Sequence, residues 1–283
     1  MQNSETGGIP RILWLCWFQG FDSAPEVVKE CHASWRRHNP GWDIRSLDEK
    51  TLGSYVDLRA IAGKNMAGIS PQALSDILRI NLLAQHGGVW ADATCFCCRP
   101  LDDWIDDHAK AGFFAFYGPG RDRLFDSWFL AAGRDCRLMS EQCRSVNSFF
   151  TENVFNYDNM RRYKLALEAV VEKHRLLTGL SFSFLVKRIL KIYPYFWAHY
   201  LFTQAIQRDR ECRRIWKQAK KVSAQGPLEL QRAGLLSPMT KTLEEIARRQ
   251  FLYKLTWKYD KSLYRPGCVL DWILNSDISR NGC

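Results

Sequence analysis

The stretch Ser75-Asp-Ile-Leu-Arg-Ile-Asn-Leu-Leu-Ala-Gln-His-Gly-Gly-Val-Trp-Ala-Asp-Ala-Thr94 decides how this chain folds. Leu74, Ile77, Leu78 and Leu82 recur at helical spacing, Ser70 stands where a capping hydroxyl is wanted, and Pro71 fits the first helical turn. Gly87 closes that helix, and Val89-Trp90-Ala91 enters a strand that delivers Asp92 to its end. Asp76 and Arg79 are three residues apart and so share a helix face. A guanidinium is a fork of donors for phosphate or sugar oxygens, and a carboxylate suits sugar hydroxyls. Spacing alone also fits a surface ion pair and a turn aspartate.

Upstream, Arg11-Ile-Leu-Trp-Leu-Cys-Trp-Phe18 reads as a buried strand ended by Gln19-Gly20. Ser23-Ala-Pro25-Glu26 then opens a helix with Val27, Val28, Cys31 and Trp35 on one face, and Asn39-Pro40-Gly41 stops it. Trp42–Leu47 is a second strand, and Asp48 begins a further helical segment. Downstream, Phe113–Tyr117 is a strand stopped by Gly118-Pro119-Gly120, and Ser127–Ala131 another. Strands alternating with helices predict an α/β fold, in which ligands gather at the carboxyl ends of strands. After about residue 135 the pattern turns helical, with helices expected over Arg161–Leu177, Phe182–Ile192 and Leu243–Trp257. The predicted plan is an α/β nucleotide-binding core over 1–155 and a mainly helical, basic portion over 156–283 packed against it.

The 283 residues are 46% hydrophobic and 25% charged, which excludes a disordered tail, a fibre or a disulfide-knotted miniprotein. The formal net charge is +10, and residues 201–265 carry fifteen Lys/Arg against six Asp/Glu. The basic segment 208–221, preceded by the aromatic run 193–202, suits a solvated helix face or an anionic membrane surface. No nucleic-acid-binding motif accompanies it, so no nucleic-acid partner is expected.

Several of the ten cysteines sit in apolar stretches, as Cys16, Cys31 and Cys268 do. Cys95, Cys97 and Cys98 lack the second Cys or His pair that would complete a tetrahedral zinc site. A reducing compartment suits these thiols. The start lacks the charged region of a signal peptide. The longest uncharged run, Ile192–Gln207, is shorter than a membrane span of roughly 20 residues. A cytoplasmic protein, peripheral on the inner face of a membrane, is the expectation. Asp102, Asp103, Asp106 and Asp107 read as a solvated helix start.

The block from Ser75 to Thr94 resembles the sugar-binding region of glycosyltransferases that carry an Asp-x-Asp motif, glycosyltransferase family 32 and its relatives. Within them it is most similar to the capsular polysaccharide synthesis proteins, and the same pattern occurs in the large clostridial glucosylating toxins. The likeness includes Ile9-Pro10-Arg11-Ile12, Trp17-Phe18, Ala24-Pro25, Ser34-Trp35 and Asn39-Pro40. It covers residues 9 to about 100, and more loosely Ser127-Trp128-Phe129 and residues 195–202.

The resemblance implies a GT-A-type, Rossmann-like core and a retaining transfer of a hexose or N-acetylhexosamine. The donor would be a nucleoside diphosphate-sugar, UDP-sugar foremost, and the acceptor a polysaccharide or lipid-linked glycan. It implies that Trp17 stacks on the nucleobase, that Asp76 and Arg79 hold the sugar and its phosphate, and that Asp92 is the first Asp of the motif. Thr94 stands where the second Asp would be, the family's direct ligand for Mn²⁺ or Mg²⁺. A neutral hydroxyl is a poor partner for a hard dication. Either Asp92 with a distant residue such as His199 binds a metal, or Lys or Arg from the C-terminal third supplies the positive charge a departing diphosphate needs. A catalytically inactive nucleotide-sugar-binding protein of the same fold is the alternative.

Overall fold

The structure is a computed structural model, and it describes residues 8–118 and 120–275. Pro119 of the expected strand stop and the outer ends of the 1–155 and 156–283 portions lie outside the described residues.

Strand β1 (Ile12–Cys16) is followed by helix α1 (Glu26–His38), β2 (Asp43–Leu47), the short α2 (Leu58–Ala62), α3 (Pro71–His86) and β3 (Gly88–Ala91). Next come β4 (Cys95–Cys97), α4 (Ile105–His108), β5 (Phe113–Tyr117) and β6 (Phe125–Ala132). The second half holds α5 (Arg137–Thr151), α6 (Tyr157–Val171), α7 (Trp197–Arg208), α8 (Arg210–Gln218), β7 (Val222–Ser223), α9 (Glu229–Ala233), α10 (Lys241–Ala247), β8 (Leu252–Lys254) and α11 (Val269–Asn275). The main sheet runs β2-β1-β3-β6-β5-β7, with β2, β1 and β3 parallel and β6 antiparallel to both of its neighbours. The expected α/β core is thus present.

Alternation along the strands fills two apolar layers. Trp14, Trp90, Phe113 and Leu130 face Leu78 and Leu82 of α3, while Leu13, Leu15, Val89 and Phe129 share the opposite layer with Trp35 of α1. The Ser70 hydroxyl accepts from the Ala73 amide at 3.2 Å and caps α3. Gly87 and Gly88 have φ of 65° and 94°, and a Cβ on Gly88 would lie 2.5 Å from the Ile12 carbonyl oxygen. Only glycine lets β3 pass this close to β1.

Three helical expectations change. The first of the C-terminal helices begins earlier, because the Asn156 side chain caps it by accepting from the amides of Asp158 and Asn159, and it ends at Val171. A 3₁₀ stretch, Arg175–Phe182, and a π-helical one, Leu185–Leu190, follow in place of one α-helix. Leu243–Trp257 is not a single helix: α10 ends at Ala247, and β8 pairs antiparallel with β4, Cys95 opposite Lys254 and Cys97 opposite Leu252. The open edge of β4 offers backbone partners that outweigh local helical periodicity in a segment rich in Phe, Tyr, Thr and Trp.

The aromatic run 193–202 is largely interior: Tyr193, Trp197, Tyr200 and Phe202 are buried. Helix α8 buries Cys212, Ile215 and Trp216 and exposes its charged face. Cys95, Cys97 and Cys98 are buried, and burial pushes the Cys97 thiol up to about 12. Among the described residues, no helix is long and apolar enough to cross a membrane.

Candidate active site

Parallel β1 and β3 are neighbours, so their carboxyl ends open on one edge of the sheet, where the antiparallel β6 begins. Helix α3 precedes β3 and therefore starts at that same edge. Topology brings together Trp17 after β1, Asp76 and Arg79 in the early turns of α3, Asp92 after β3, and Asp126 and Ser127 in β6. They line an open cleft of about 850 Å³, together with Thr94, Tyr195, His199, Lys254 and Trp257.

Arg79 is the hub. Its guanidinium donates to the Ser75 carbonyl (3.2 Å) and hydroxyl (3.0 Å) and to the Ser127 carbonyl (2.6 Å) and hydroxyl (3.0 Å). It also lies 3.4 Å from Asp76 and 3.3 Å from Asp92, and over the face of Trp90. With its donors committed to protein partners, Arg79 sets the spacing of the two carboxylates. Asp92 accepts further from the Trp90 indole at 3.0 Å. Burial pushes Asp76 up to about 6, opposed by Arg79 and reinforced by the charge of Asp92. Burial likewise raises Asp126 and the Tyr195 phenol.

Trp17 is half-buried on the cleft wall, edge-on to Trp257 with ring centroids 5.8 Å apart. Thr94 is buried, its carbonyl accepts from the Leu255 amide at 2.8 Å, and its hydroxyl accepts from the Lys254 ammonium at 2.5 Å. The same ammonium stands 3.6 Å from Asp92. His199 is buried between the rings of Phe125 and Phe196, its Nδ1 has no hydrogen-bond partner, and burial lowers it to about 3, aided by Arg123 and Arg79. Among the described residues, no group of three or more His, Cys, Asp or Glu is placed to hold a metal ion. None of Asp102, Asp103, Asp106 and Asp107 lines the cleft; Asp106 pairs with Arg11 at 2.8 Å.

Sequence reasoning missed Lys254 and Trp257, because both fall in the stretch read as one long helix. The signal was the change at Phe251 from Glu, Ala and Arg to Phe, Tyr, Thr and Trp. Asp126 carries no motif of its own and Tyr195 lies in the loosely matched stretch 195–202; the fold brings both to the cleft.

The chain belongs to the capsular polysaccharide synthesis protein family, whose model matches residues 1–267. It is 30% identical over 141 residues to the O-glycosyltransferase braB of Annulohypoxylon truncatum, covering 43% of this chain and 33% of that protein. It is 27% identical over 157 residues to the glycosyltransferase afumC of Aspergillus fumigatus, covering 47% and 39%. The match thus spans well under half the length of these curated relatives. Among solved structures it aligns with the PaToxG glycosyltransferase at a TM-score of 0.40 and 12% identity, over 87% of this chain and 86% of that one.

Proposed function

We propose that this chain is a glycosyltransferase that moves a hexose or N-acetylhexosamine from a nucleoside diphosphate-sugar to a polysaccharide or lipid-linked glycan. The observation that carries the reading is the Asp76–Arg79–Asp92 cluster at the carboxyl edge of the parallel strands, inside a cleft large enough for a nucleotide-sugar. The names of the curated relatives support it. Trp17 offers a flat indole to the base, with Trp257 behind it. Asp76 and Asp92, held apart by Arg79, accept from sugar hydroxyls. Retention follows if the acceptor hydroxyl enters on the face the diphosphate leaves, giving its proton to the departing phosphate oxygen.

A dication held by Asp92 and residue 94 does not fit these residues. An ammonium already bridges the two, and His199 makes its contacts with aromatic rings. For the acceptor side we favour an anionic bilayer. Residues 161–191 carry eight Lys/Arg against two Asp/Glu, and they expose Leu165, Leu176, Leu180, Phe184, Leu185 and Ile189. Tyr195 of the cleft lies four residues beyond Lys191 in the chain.

The reading is tested by donor binding and hydrolysis across UDP-, GDP- and dTDP-sugars, each with Mn²⁺ and with EDTA. Release of one nucleotide, abolished by Asp92→Asn with little change in melting temperature, is the expected result. Binding without turnover, acceptor glycans included, would make the chain a nucleotide-sugar-binding protein. Failure to bind any of these donors would overturn the reading.

A further inference from the structure

We propose that the Lys254 ammonium is a built-in replacement for a divalent metal ion: it binds the donor's diphosphate and neutralises charge on the leaving phosphate. This rests on the donor reading above and deepens it.

Two carboxylates around a dication sum to zero, and so do one carboxylate, one hydroxyl and one ammonium. Thr94 removes one negative charge, and Lys254 in place of a dication removes one positive charge, so the net charge of the site is conserved. Geometry agrees with the arithmetic. Lys254 Nζ lies 2.5 Å from Thr94 Oγ1 and 3.6 Å from Asp92 Oδ2, between the two side chains that an Asp-x-Asp motif would turn toward a metal.

The position is held from both sides. Lys254 pairs with Cys95 in the β4–β8 ladder, its flanking residues Tyr253 and Leu255 are buried, and the Leu255 amide donates to the Thr94 carbonyl. The ammonium therefore needs no reorganisation when charge develops in front of it. Nor is it neutralised by a dedicated carboxylate, since Asp92 is the same group that accepts from Trp90 and pairs with Arg79. An incoming phosphate would meet an ammonium whose carboxylate neighbour, 3.6 Å away, is shared with Arg79.

The step balances without a metal. The bond between the anomeric carbon and the β-phosphate oxygen breaks, and its electron pair stays with that oxygen. The acceptor hydroxyl oxygen bonds to the anomeric carbon, and its proton passes to the departing phosphate. Lys254 keeps its own protons throughout and contributes charge and hydrogen bonds.

The test is calorimetric binding of UDP, GDP, dTDP and the matching nucleoside monophosphates in EDTA and in Mn²⁺, to the intact chain and to Lys254→Met and Lys254→Arg. The expected result is one diphosphate that binds equally well in EDTA and Mn²⁺. Lys254→Met should weaken it about tenfold or more, with a smaller effect on the monophosphate, and Lys254→Arg should restore most of the loss. A second variant, Thr94→Asp with Lys254→Asn, should acquire Mn²⁺-dependent diphosphate binding that the parent chain lacks. Diphosphate affinity that needs Mn²⁺ in the parent chain, or that Lys254→Met leaves unchanged in EDTA while the protein stays folded, would overturn the proposal and leave the donor reading standing. No binding of any diphosphate by the parent chain would remove the donor reading, and this proposal with it.

Discussion

At the scale of single residues, the cleft works by constraint on charge. Arg79 is buried with its donors committed, so its contribution is to stand between Asp76 and Asp92, pairing with both and offsetting part of their repulsion. Asp76 bears the cost of that arrangement, with its carboxyl raised to about 6 chiefly by burial. A carboxyl raised in the folded state favours the protonated form there, so its contribution to stability is present below its unfolded value near 3.8 and is lost as pH rises through about 6. We therefore expect Asp76→Asn to gain stability relative to the parent chain as pH rises from 4 to 7, by on the order of 2 kcal/mol, read by chemical denaturation at each pH. A flat difference across that range would mean that Asp76 is not raised. Under the proposed function, donor turnover measured across pH 4–7 should rise through the same window, as the acceptor form of Asp76 appears.

At the scale of elements, the decisive feature is the return from α3 into β3. The capped helix, the Gly87-Gly88 reversal and the strand that follows position Asp92 against Arg79 within a few residues of chain. Gly88→Ala would force a Cβ to 2.5 Å from the Ile12 carbonyl at a φ of 94°. We expect it to destabilise the fold by about 2–4 kcal/mol through strain and weakened β1–β3 pairing. A loss below about 1 kcal/mol in urea denaturation would show that the two strands can part at this point. Both glycines, the cap and the apolar stripe were legible in sequence because each acts within one turn of chain. The strand β8 was not. Its backbone hydrogen bonds go to β4, 159 residues earlier in the Cys95–Lys254 pair, and no local pattern encodes so distant a partner.

At the scale of the whole molecule, the C-terminal segment is part of the cleft rather than an appendage beside it. β8 closes one wall with Lys254, and α11 packs on α1 in the apolar layer that also contains Phe96 and Tyr253. Apolar surface remains outside, on residues 163–190, where Leu176 is 78% and Phe184 72% exposed among Lys and Arg. If this surface meets an anionic bilayer, the chain should sediment with phosphatidylglycerol-containing vesicles and not with pure phosphatidylcholine. Phe184→Glu with Leu185→Glu should reduce that binding about tenfold or more without lowering the melting temperature. Failure of the parent chain to bind the anionic vesicles would remove the membrane from the proposal.

Sequence by itself determined the α/β core, the capped α3 with its Asp76–Arg79 pair, the Gly-Gly turn and the placement of Asp92, because these depend on periodicity and on conformations that few residues adopt. It also exposed the question at Thr94. Only the tertiary structure brought Lys254 to that threonine, surrounded Arg79 with Ser75, Ser127, Asp76 and Asp92, and enclosed His199 among aromatic rings. Each of those outcomes depends on which distant strand or helix packs alongside, and that choice is made by the whole core at once.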